Sequence, residues 1–200
     1  MMLVIEVTAV LSGAVFGVLL ARRKGMDFVG VYAVALMTAF GGGTVRDLFL
    51  DRHPLFWIQN PGYPLAVFAV AIVMSMMPRI PAQTARWLNL PDALGLGLFS
   101  VLGTEIALGS GVAPFVAVLF GVMSGTFGGV IGDIVCNEVP SLFRPSTPLY
   151  ATCAFVGGWV LVGAKLLPLP DGVAVAVAAG ITVLMRLVAL HFRLTLKAIE

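Results

Sequence analysis

Two aspartates follow two glycine clusters in the same way. Positions 41–47 read GGGTVRD, from Gly41, Gly42 and Gly43 through Thr44 and Arg46 to Asp47. Positions 125–133 read GTFGGVIGD, from Gly125 and Thr126 through Gly128 and Gly129 to Asp133. Both stretches lie inside long apolar runs. An ionisable group in such a run costs several kcal/mol and usually marks an ion or solute path. Glycines lower helix propensity by about 1 kcal/mol each, so each cluster can kink or unwind its helix. Freed carbonyls, amides and helix-end dipoles would then be available to an ion or a zwitterion. Two plainer readings compete with this one. The glycines can serve close helix packing, and each aspartate can be a helix-end charge or a salt-bridge partner.

Other side chains near these clusters belong to the same candidate site. Arg46 has no basic counterpart in the second cluster, where Gly132 stands in its place. It can pair with Asp47, Asp133 or Glu6, or act as a gating charge. Thr38, Thr44, Ser124 and Thr126 bring hydroxyls close to the glycines. Their alternative role is back-bonding to helix carbonyls. Glu105, preceded by Thr104, is a candidate vestibule charge, and Lys165 can snorkel to an interface. Cys136 and Cys153 have no metal-type spacing and read as apolar fillers. His53 and His191 lie far apart and form no metal motif. The sequence holds no Walker loop, HExxH, GxSxG or Cys/His cluster. The expectation is a protein without catalytic residues or a cofactor.

These residues need elements to position them, and composition says which. Of 200 residues, 60% are hydrophobic and only 11% charged, and the mean hydropathy is +1.04. Twelve basic and ten acidic residues are too few to cover a soluble domain of this size. A net charge of +2 points to no polyanionic partner and excludes a nucleic-acid-binding role. The fold class expected is an all-α membrane protein. A spanning helix takes about 20 residues, and the apolar runs mark seven spans: 3–21, 28–50, 62–78, 91–108, 113–136, 147–166 and 172–190. The first is a span and not a cleaved leader, because its positive charges, Arg22, Arg23 and Lys24, come after it. Pro78, Arg79, Ile80 and Pro81 stop the third span, and Pro114 opens the fifth. Arg22, Arg23, Lys24, Arg79, Arg86, Arg144, Arg186, Arg193 and Lys197 fall on one side, against Arg46, Arg52 and Lys165 on the other. This bias places the N-terminus outside and the C-terminus in the cytoplasm.

Sliding the chain against itself by 86 residues brings Gly17 onto Gly103, Ala21 onto Ala107 and Gly25 onto Gly111. The same shift brings Gly42 onto Gly128, Asp47 onto Asp133 and Pro54 onto Pro140. Each copy holds three spans, and an odd number inverts the second copy in the membrane. The expected organisation is a single membrane domain over 1–200. It comprises a three-helix repeat at 1–84, an inverted repeat at 85–168, and a seventh helix with a short tail at 169–200. The two glycine clusters sit in the equivalent middle helices, the second and fifth spans, which should face each other across an interior path. Inversion puts Asp47 toward the outer mouth and Asp133 toward the inner one.

With these motifs in two three-helix copies plus a seventh helix, the sequence resembles the prokaryotic trimeric intracellular cation (TRIC) channels. The same pattern is that of a duplicated bacterial glycine-transporter-like domain. The resemblance covers nearly the whole chain. It implies a homotrimer with a pore in each protomer, lined by kinked second and fifth helices. It also implies conduction of potassium or sodium ions in a lipid membrane, the bacterial inner (plasma) membrane, with the topology given above. The Lys-Glu-Val-type lipid motif and the long cytoplasmic tail of animal members are not found in this sequence. The alternatives are a secondary transporter of glycine or another small zwitterion, and a structural membrane subunit.

Overall fold

The computed structural model describes residues 2–77 and 85–196. The proline stop at 78–81 and two orientation residues, Arg79 and Lys197, lie outside the described residues, as does the side chain of Arg86. Eight α-helices are present among the described residues: α1 (Met2–Arg23), α2 (Phe28–Phe49), α3 (Phe56–Gln59), α4 (Gly62–Met76), α5 (Ala85–Gly109), α6 (Pro114–Val135), α7 (Ala151–Ala164) and α8 (Asp171–Phe192). A single 3-10 turn, Ser141–Phe143, stands between α6 and α7.

Local chemistry sets the ends. Asp27 caps α2 by accepting from the Gly30 amide at 2.8 Å. Pro114 starts α6 at a position whose amide would lack a helical partner anyway. Gly25 and Gly111, 86 residues apart, take left-handed φ values of 70° and 80° in the turns that precede these helices. After α2 and α6 the chain leaves in matched fashion. Asp51 and Asn137 are both left-handed, at φ 51° and 55°, a conformation that Asp and Asn tolerate. The Arg52 amide then donates to Asp47 O and the Glu138 amide to Asp133 O, both at 2.8 Å.

Five helices are long and apolar enough to cross a membrane: α1, α2, the 88–109 part of α5, α6 and α8. The other two expected spans, α4 and α7, are apolar but have only 15 and 14 residues. At 1.5 Å per residue each covers about 22 Å, short of a bilayer core of about 30 Å. The fourth expected span begins earlier than its proline, because α5 starts at Ala85 and runs through Pro91. One missing amide removes a single hydrogen bond near the helix start, which the surrounding packing tolerates.

The α2–α6 pair forms the centre, with α1 packed on α2 and α5 on α6. Small residues make these contacts possible. A Cβ at Gly17 would lie 2.7 Å from the Ala35 Cα, and one at Gly121 would lie 2.4 Å from Ser100 O. Large apolar side chains such as Val29, Phe49, Leu65 and Leu184 point outward and are exposed. The interior is an apolar core, with Val10, Val34, Val118 and Leu161 buried, and within it lie buried Thr38, Arg46, Asp47, Thr104, Ser124, Thr126 and Arg186. Polar groups kept inside and large apolar ones turned outward are what a lipid solvent selects.

Candidate functional site

The two glycine clusters meet. A Cβ at Gly42 would lie 2.0 Å from Ser124 O, and a Cβ at Gly128 would lie 2.3 Å from Thr38 O. Gly42 and Gly128 are 86 apart, as are Thr38 and Ser124, so the contact is reciprocal. Residue 42 meets 124 while 38 meets 128, so the helices pass antiparallel. Both helices continue unbroken through their glycines. The unwinding expected from the clusters does not occur, because glycine here has a different use. It removes the Cβ that would keep two helix backbones apart.

Beside this crossing lies a cavity whose walls include Thr38, Gly42, Gly43, Ser124, Gly128 and Gly129. The space open to a water molecule's centre is about 20 Å³, room for about one water. The two hydroxyls in its wall differ. Thr38 Oγ1 is within bonding distance of Gly13 O and Val34 O, both at 2.9 Å. Ser124 Oγ is buried with no hydrogen-bond partner.

The two glycine pairs meet different neighbours, of which Tyr150 is itself a wall residue of the cavity. At Gly43 the obstacle is the Phe56 ring, which a Cβ would meet at 2.5 Å. Arg46 and Asp47 stand beside it. Asp47 Oδ1 accepts from Arg46 Nε at 2.8 Å and Nη2 at 2.7 Å, and Asp47 Oδ2 accepts from the Phe56 amide at 3.0 Å. At Gly129 the obstacle is the Tyr150 hydroxyl, 3.0 Å from where a Cβ would stand. Tyr150 Oη donates to Asp92 Oδ1 at 3.1 Å, and Arg186 Nη2 donates to Asp92 Oδ2 at 3.0 Å. Arg186 Nη1 also reaches Pro148 O and Leu149 O, and its guanidinium lies 4.7 Å from the centre of the Tyr150 ring.

Comparison with known proteins agrees with this geometry. The sequence matches the family model described as Glycine transporter twice, over residues 3–79 and 89–165, the same 86-residue step that separates Gly42 from Gly128. It is 35% identical over 185 residues to the UPF0126 inner membrane protein YadS of Escherichia coli (strain K12), covering 92% of this chain and 88% of that one. The fold matches the TRIC trimeric intracellular cation channel orthologue from Rhodobacter sphaeroides with a TM-score of 0.89 and 34% identity, over 96% of this chain and 97% of that one. The chain belongs to the TRIC family. A further TRIC cation channel matches with a TM-score of 0.86 and 31% identity, over 98% of this chain and 96% of that one.

In this TRIC-family chain the remaining candidates fall as follows. Arg46 takes Asp47 as its partner among the three acids considered. Asp133 Oδ2 accepts from the Ser141 amide at 2.7 Å, as Asp47 does from Phe56. Thr44 Oγ1 accepts from Trp57 Nε1 at 3.0 Å, and Thr126 Oγ1 back-bonds to Val122 O at 2.8 Å. Gly41 packs on the Ile131 side chain and on α6, with 3.5 Å between its would-be Cβ and the Gly128 Cα. Glu105 lies away from the cavity in a cluster with Lys165, whose ammonium contacts Glu105 Oε1 at 2.7 Å and Asp171 Oδ1 at 3.1 Å. Both cysteines are buried and free.

Sequence reasoning missed Phe56, Asp92 and Tyr150, and it counted Arg186 among the charges on the cytoplasmic side although it is 3% exposed. A signal existed for two of them. Asp92 stands 86 residues after Glu6, in the register already seen for the glycines. Arg186 interrupts an apolar span, which is itself a pointer to a buried partner.

Proposed function

We propose that this protein is a monovalent cation channel for potassium or sodium, with one path in each protomer of a homotrimer. The observation that carries the reading is the reciprocal α2–α6 crossing beside a cavity whose wall combines glycines and hydroxyls with Asp92 and with apolar residues such as Phe16 and Phe99. Acceptor oxygens there suit a partly dehydrated cation. The two buried arginines Arg46 and Arg186 are each held by a carboxylate, which moderates their repulsion of a cation. Thr38, Gly42, Gly43, Ser124, Gly128 and Gly129 line the path in this reading. Gly41, Thr44, Arg46, Asp47, Thr126 and Asp133 support it from the flanks, and Glu105 serves a separate vestibule.

The path belongs to two inverted three-helix repeats followed by a seventh helix. The antiparallel passage of α2 and α6 and their matched exits support this organisation. Arg22, Arg23, Lys24, Arg144 and Arg193 favour an inner-membrane orientation with the C-terminus in the cytoplasm. The relative named as an inner membrane protein agrees with that location. The TRIC channels matched in fold support conduction and a trimer.

A second reading, transport of glycine or a similar zwitterion, is favoured by the description of the matching family model. Purified protein in a planar bilayer with potassium chloride on both sides separates the two. The channel gives discrete current steps. Silent bilayers together with saturable glycine counterflow in liposomes would overturn it.

A further inference from the structure

We propose that Asp92 is the residue that makes the central cavity favour cations over anions. The proposal rests on the channel reading above and names the charge that selects within it. Asp92 stands in the second turn of α5, directly after Pro91, and both residues belong to the cavity wall. Among the described residues, Asp92 is the one wall residue that carries a full charge. The buried ions Arg46, Asp47, Asp133 and Arg186 are not wall residues. Nor is Glu6, the counterpart of Asp92 in the 86-residue register.

The carboxylate is one pole of an oriented ion pair. Arg186 Nη2 donates to Asp92 Oδ2 at 3.0 Å, and Tyr150 Oη donates to Oδ1 at 3.1 Å. A carboxylate placed inside the protein needs partners of this kind. Arg186 turns Nη1 elsewhere, to Pro148 O and Leu149 O. The pair also has a direction. The Asp92 side chain keeps 15% exposure and belongs to the wall, whereas that of Arg186 keeps 4% and stands outside the wall. The negative pole is therefore the one nearer the cavity. Coulomb energy falls with distance, so a small cation entering there meets net attraction and an anion net repulsion. Low-dielectric walls strengthen both effects. The counter-charge comes from α8, which lies beyond the two matched repeats, so the first half of the chain has no equivalent of this pair.

The test reads the loss of a thiol and needs no current. In a background with Cys136→Ala and Cys153→Ala, Ser124→Cys places a reporter in the same wall. The purified protein in detergent is exposed to Ag+, a small cation that couples to thiols, or to neutral methyl methanethiosulfonate. Thiol left unreacted is counted with a maleimide after unfolding. Asp92→Asn lowers the Ag+ rate by about tenfold or more and leaves the neutral rate within about twofold. Asp92→Glu keeps the charge and stays within about threefold of the parent. Asp92→Asn leaves Arg186 without its counter-ion, so a double variant, Asp92→Asn with Arg186→Gln, carries the test if thermal melting shows that the single variant does not fold. With both charges gone the Ag+ rate still falls, by about threefold or more, because the nearer pole was the negative one. Unchanged Ag+ rates, Ag+ and neutral rates that fall together, or a parent reporter that Ag+ does not reach would overturn the proposal. Labelling is read without conduction, so a silent bilayer refutes the channel and these rates refute the role of Asp92.

Discussion

The C-terminal ends of α2 and α6 use the same backbone plan and different side-chain chemistry. Each has a glycine pair, an aspartate at the end of a crossing helix, and a short turn whose first amide that aspartate accepts. At the α2 end an aromatic ring fills the space and a neighbouring arginine, one residue from its partner, supports it. At the α6 end a tyrosine hydroxyl fills it, tied to Asp92 and to an arginine 94 residues from that acid, on α8. The frame is shared and the side-chain arrangements are unlike. One is local and apolar, whereas the other joins α5, the segment before α7, and α8 into one hydrogen-bonded unit.

Removing the arginines tests that contrast most strongly. Leaving a buried carboxylate without its partner costs about 3–5 kcal/mol. Arg186→Met should lie at the top of that range, because Pro148 O and Leu149 O lose their donor as well. Each aspartate keeps one donor, the Tyr150 hydroxyl or the Phe56 amide, so Arg46→Met, which deprives no such pair of carbonyls, should cost less. Melting temperatures in detergent give the order, and equal losses would remove the distinction. The frame itself should behave symmetrically. Gly42→Ala and Gly128→Ala each force a methyl against a carbonyl of the opposite helix, and each should destabilise by about 1–3 kcal/mol. A loss in one variant only would break the reciprocity of the crossing.

The hydroxyls sharpen the comparison at smaller scale. Thr38→Val removes a bonded hydroxyl and should cost about 1 kcal/mol. Ser124→Ala removes one without a partner and should stay within about 0.5 kcal/mol of the parent. The smallest effect lies where the two halves touch at the opposite surface, through the Lys24–Glu138 ion pair. The hydrogen bond from Lys24, aided by its charge, holds the Glu138 carboxyl below its ordinary value of 4.5, and Arg144 adds to it. The unfolded chain therefore takes up this proton before the folded one. The stabilisation is full above the ordinary value and fades as pH falls through the lowered one. Lys24→Ala should therefore lower the melting temperature slightly near neutrality, and the two profiles should converge as pH falls through the lowered value.

Much of this was legible in the sequence. Apolar run length marked the five long spans, because lipid demands satisfied backbones over a fixed distance, but it did not foresee that α4 and α7 stop at 15 and 14 residues. The glycine register gave the crossing pair, because only repeated packing keeps glycines at one offset. What the glycines do there was less legible. A cluster such as Gly41, Gly42 and Gly43 lowers helix propensity whether the helix unwinds or a neighbour approaches, and only the neighbour decides. Asp92 was hidden by Pro91, which read as a helix start and so moved the acid to an interface. Tyr150 and Arg186 were hidden by distance along the chain. Phe56 sits in a helix of four residues, too short to leave a periodic pattern.

The reciprocal contact of α2 with α6 has a mechanical consequence. Two rods pressed together at one level cannot separate there without opening a void, but they can scissor about that fulcrum. Such a rotation leaves the waist nearly constant and changes the spacing at both tips. In the channel proposed above, an ion would then pass beside the fulcrum, and the spacing of the tips would set its flow.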